Sequence, residues 1–140
     1  MNSKNVNISI KGIQIQDGEK GDISLFTEGT LKKDGKKYIV TYDESEMTGM
    51  GVTTTTLEID GEKVSLIRNG EINNQMLFIK NKKTTSYYET QYGSLIIGVL
   101  TDSINVDVGE KGGTVSIDYT IDINEEYLGE NSFFINITEA

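Results

Sequence analysis

Short runs of alternating polar and apolar residues follow one another along almost the whole chain, separated by Asp-Gly and Asn-Gly pairs. Val6, Ile8 and Ile10 alternate, and so do Val115, Ile117, Tyr119, Ile121 and Ile123. A period of two sends successive side chains to opposite faces, which suits a strand and not a helix. Asp-Gly and Asn-Gly favour tight hairpin turns because both residue types tolerate positive φ. Val, Ile, Thr, Tyr and Phe supply 52 of the 140 residues, and the only alanine is Ala140. A pleated, half-buried surface is thus favoured, and the best helix former is withheld. The chain is read as all-β, one domain over residues 1–140.

The spacing predicts a first strand through Val6–Ile15, with a β-bulge or a bend where Gly12 shifts the apolar phase. A turn-rich break over 16–22 precedes a second strand at 23–33. Asp34-Gly35 between lysines marks a hairpin tip of type I′. Further strands are expected near 38–44, 50–59, 62–68, 71–80, 84–90, 95–101, 104–108 and 115–123. A polar loop at 124–131 then leads to Phe133, Ile135 and Ile137. Short links between consecutive strands imply antiparallel neighbours. About ten strands must hide their edges, which points to a single antiparallel up-and-down β-barrel. A two-sheet sandwich gives the same alternation and is the alternative.

Composition removes several chemistries. Histidine, cysteine, tryptophan and proline are absent, so there is no imidazole base, no disulfide and no thiolate metal site. The net charge is −9, which repels phosphate and argues against nucleic acid as a partner. Residues 102–140 hold nine acidic side chains against Lys111 alone. The expectation here is a solvated acidic face; the sharper reading is a docking surface for a basic partner. The N-terminus shows no signal-peptide h-region, and the longest apolar run, Leu95–Leu100, is too short to span a membrane. A cytoplasmic, membrane-free protein without cofactor or metal is expected.

Several pieces appear in a telling order: Gly35-x-x-Tyr38-x-Val40-x-Tyr42-x-Glu44, Thr54/Thr56, Arg68-Asn69-Gly70, Met76-x-Phe78, Tyr88-Glu89-Thr90-Gln91-Tyr92-Gly93, Thr101, Gly112-Gly113 and Asp118-Tyr119. Together they resemble the YwiB-like family, small bacterial proteins of unknown function placed among the lipocalin-like (calycin) β-barrels. The match runs from about Lys33 to Ile137. One departure is Gln91, where the family often has proline. The resemblance implies a calycin-type barrel of about ten strands and implies no activity.

Arg68 is the only arginine and shares a strand face with Val64 and Leu66. In lipocalin-like barrels an interior arginine with tyrosines can hold a ligand carboxylate, since the guanidinium fork pairs bidentately. The residues read as a ligand site are Arg68, Tyr42, Glu44, Tyr88, Thr90 and Tyr119. Because structural ion pairs commonly mimic sites, the plainer reading of Arg68 takes precedence: it closes one barrel end, paired with Glu44 or Glu89. Tyr87, Tyr88 and Tyr92 are read as packing at a barrel corner. The carboxylates Asp43/Glu44/Glu46, Asp118/Asp122 and Glu125/Glu126 show no spacing that sets two of them across a sugar. Asp122–Glu126 resembles a calcium loop but has Tyr127 where the loop needs glycine. The expectation is a non-enzymatic module that binds a small molecule, with a carboxylate or an apolar body. The alternative is a solid interaction or structural module that forms a homodimer.

Overall fold

The computed structural model describes residues 3–44, 53–70, 73–90 and 93–140; the side chains of Asn74, Tyr88, Glu89 and Thr90 lie outside that description. Ten strands form one antiparallel sheet: β1 (Lys4–Gln16), β2 (Glu19–Asp34), β3 (Lys37–Asp43), β4 (Thr53–Asp60), β5 (Lys63–Gly70), β6 (Asn74–Phe78), β7 (Lys83–Thr90), β8 (Gly93–Gly109), β9 (Gly112–Ile123) and β10 (Glu126–Glu139). Their order is β6-β5-β4-β3-β2-β1-β10-β9-β8-β7. The first and last strands pair along ten residues, from Val6 opposite Glu139 to Ile15 opposite Glu130. The meander therefore curls into a nearly closed barrel, whose seam falls between β6 and β7, the two edges of the ladder. Across the seam, the Thr84 hydroxyl donates to the Leu77 carbonyl, and the Asn81 and Thr101 amides tie the β6–β7 link to β8.

Several local expectations change. No bulge occurs at Gly12: the ladder runs through it in unbroken register, so Ile13 and Ile15 take the opposite face from Ile8 and Ile10. The break at 16–22 shrinks to Asp17-Gly18, both at positive φ, as a type I′ turn requires. At Asp34-Gly35 only Gly35 has positive φ and Asp34 still pairs with Lys37, the pattern of type II′ and not I′. The polar loop at 124–131 is only the pair Asn124-Glu125, both at positive φ, and β10 begins directly after it. The strands expected at 95–101 and 104–108 are one strand, β8, whose register shifts between Thr101 and Ser103. That bulge restores alternation with one extra residue, which is why two apolar phases appear in the sequence.

Inward side chains divide the barrel into two zones. At the end holding both termini and the β2–β3 and β4–β5 turns, the interior is filled by Val6, Ile8, Val40, Leu57, Val64 and Ile137, all essentially without solvent contact. Toward the other end the inward positions turn polar: Thr53, Thr55 and Thr101 are buried. One cross-strand row reads Gly29, Tyr42, Thr55, Arg68 over β2 to β5. Gly29 is small because the Thr41 carbonyl, Ile8 and Tyr42 occupy its space: an added methyl would clash with the Thr41 backbone oxygen and stand 2.6 Å from Ile8 Cδ1 and 3.1 Å from Tyr42 Cβ. Gly29→Ala should therefore cost about 1–3 kcal/mol through overpacking. Thermal unfolding checks this, and an unchanged midpoint would show that the row has slack.

Candidate functional site

The polar half of the interior is hollow. A cavity of about 450 Å³ lies there, within the size range of small-molecule sites. Its wall includes Tyr42 and Glu44 from β3 and its end, Arg68 from β5, Tyr119 from β9 and Asn131 and Phe133 from β10. Ile10, Ile23 and Leu25 supply apolar surface. Four of the six site residues expected from sequence thus line one space. Tyr88 and Thr90 stand in β7, but their side chains lie outside the described residues, as do Gln91 and Tyr92.

Strand alternation places these groups. Tyr42, Thr55 and Arg68 are direct partners on successive strands and share one face. Glu44 lies two residues beyond Tyr42, so its side chain returns to that face. Its amide donates to the Thr53 carbonyl at 2.8 Å, and the Thr55 hydroxyl donates to Glu44 Oε1 at 2.8 Å. On the facing wall, Thr101, Tyr119 and Asn131 form a second row across β8, β9 and β10. The Tyr119 ring packs on Phe78 across the seam, with centroids 4.9 Å apart and planes tilted by 60°.

Of the two partners in the plainer expectation for Arg68, Glu44 does not pair with it. Among the described residues Arg68 has no ion pair. Its Nε is buried without a hydrogen-bond partner among those residues, as are Asn131 Nδ2 and Thr101 Oγ1. Glu89, the other partner considered, has its side chain outside the description. The tyrosines register this environment. Burial pushes the Tyr42 phenol well above the ordinary range; neighbouring Glu44 adds to the rise and Arg68 opposes it. Burial also raises the Tyr119 phenol, again against Arg68.

The remaining candidates fall elsewhere. Tyr87 is 68 % exposed, so it points outward and does not pack a corner. Asp118 accepts from Ser103 and Ser132 at 2.8 and 2.6 Å, and Asp122 pairs with Lys83 at 2.7 Å. Among the described residues no group of three or more acidic side chains is placed to hold a metal ion. Asp22, Asn131 and Phe133 were missed as cavity residues. Alternation through Asn131, Phe133, Ile135 and Ile137 carries the signal for the last two; reading 124–131 as loop hides it for Asn131.

A family model described as a domain of unknown function, DUF1934, matches residues 8–135. The chain belongs to that family. A relative described as an uncharacterized beta-barrel protein YwiB, from Bacillus subtilis (strain 168), is 25% identical over 122 residues, 86% of this chain and 84% of the relative. The crystal structure of the ywiB protein from Bacillus subtilis matches with a TM-score of 0.78 at 20% identity, covering 96% of this chain and 92% of that one. The likeness shows a shared fold, and the family carries no assigned activity.

The raised phenols give a testable consequence. Tyr42 should keep its proton in the native protein at about pH 11, where an ordinary tyrosine, near pH 10, has lost its own, and Tyr119 should titrate later than an ordinary tyrosine. Tyr42→Phe should leave the native phenolate absorbance at that pH unchanged while lowering the denatured signal. The raised values stabilise the fold fully below the ordinary range, and this contribution falls as pH rises beyond it.

Proposed function

We propose that this barrel binds a small anionic molecule with an apolar body, and that Arg68 receives the anionic group. The observation that carries the reading is a guanidinium without an ion-pair partner among the described residues, on the wall of a cavity of about 450 Å³. Holding a cation inside a barrel is costly unless it is compensated. A bound carboxylate supplies the charge and matches the guanidinium fork. Tyr119, held protonated by its surroundings, offers an O–H donor beside it, while the Tyr42 phenol is engaged with Glu44. Ile10, Leu25 and Phe133 offer apolar contact to the rest of the molecule. The lipocalin-like (calycin) kinship implied by the family resemblance belongs to this reading, as does a cytoplasmic binder without catalysis.

A second reading, an interaction module that pairs with a second copy, draws on the solid apolar half of the barrel and on Phe26, 81 % exposed on the outer wall. Arg68→Met separates the two. It keeps the volume of the side-chain stem and removes the charge. An anionic fluorescent probe such as anilinonaphthalene sulfonate should bind the wild type and lose affinity about tenfold or more in the variant, because a charge-assisted hydrogen bond is worth about 1.5–3 kcal/mol. The midpoint of unfolding should hold or rise. A large drop in stability with no change in probe binding would instead make Arg68 a structural brace.

A further inference from the structure

The cavity presents two opposite charges that do not meet. Arg68 and Glu44 both line it, both act on the Tyr42 phenol, and yet they form no ion pair. The strand register sets their positions. Arg68 stands two strands from β3, about 10 Å away at roughly 4.8 Å per strand, and in the row of Tyr42. Glu44 stands two residues farther along, toward the barrel end. The Glu44 carboxylate has about four acceptor positions; Thr55 and Tyr42 engage it, and capacity remains. A ligand carrying negative charge alone would satisfy Arg68 and be repelled by Glu44 and the net charge of −9.

We infer that the ligand is a compact zwitterion of amino-acid type, with its carboxylate on Arg68, its ammonium toward Glu44 and an apolar side group against Phe133 and Leu25. This rests on the ligand-binding reading above and narrows it. The occupied half of the barrel sets the size: the apolar fill begins below the polar rows, so the cavity spans little more than Gly21 to Leu25 on β2, about 13 Å at roughly 3.3 Å per residue. The ammonium satisfies the acceptor that a simple carboxylic acid leaves idle, and one molecule bridges two charges that the fold holds apart.

Matched probes test this by calorimetry on the intact chain: phenylalanine with 3-phenylpropanoate and 2-phenylethylamine, and leucine with 4-methylpentanoate. In at least one set the amino acid should bind about tenfold more tightly than its partners, a margin of one charge-assisted contact. Glu44→Gln, which still accepts from Thr55, should erase that margin, and the simple carboxylate, freed of the Glu44 repulsion, should bind at least as tightly as before. If the simple carboxylates bind as tightly as the amino acids, the zwitterion inference fails and the anion-binding reading stands. If no member of either set binds, both fail.

Discussion

A sheet that curls back on itself must choose, for each strand, which alternate residues face inward, and everything else here follows from that choice. At one end the inward set is Val6, Ile8, Val40, Leu57, Val64 and Ile137, and the interior is solid. At the other it becomes Tyr42, Thr55, Arg68, Tyr119 and Asn131, and the interior is hollow. A register slip of one residue would exchange the two faces of the strand concerned, and on β5 it would put the guanidinium outside. The apolar half thus fixes the register that holds the polar half in place.

The outer wall carries devices that keep the cylinder in shape. Asp118 accepts from Ser103 and Ser132, joining β8, β9 and β10 beside the β8 bulge. Lys83 on β7 reaches Asp122 on β9 over the intervening strand, and Gly98 has no side chain to obstruct that carboxylate. This strap secures β7, which ladders only to β8. An exposed ion pair adds little free energy of its own, so its role here is to position an edge strand next to the seam.

Alternation made most of the fold legible. The strands, their antiparallel order and the inward placement of Arg68 all followed from period two and turn residues. Strand ends were harder, because Asp34 and Asp60 remain in their ladders while Gly35 and Gly61 open the turns. The Asn124-Glu125 turn was invisible because neither residue is glycine, yet both take positive φ. The convergence of Tyr42, Glu44, Arg68 and Tyr119 on one cavity depends on barrel stagger, which no local pattern encodes. Whether Arg68 meets Glu44 was equally out of reach, since that is decided by a few ångströms across three strands.

The central claim is that the hollow half exists to hold a small molecule against Arg68. Native mass spectrometry of the protein purified from its own cells measures this most directly. The predicted result is one retained small molecule per chain, missing from Arg68→Met purified in the same way. A bare polypeptide mass for the wild type, together with a less stable Arg68→Met, would contradict it.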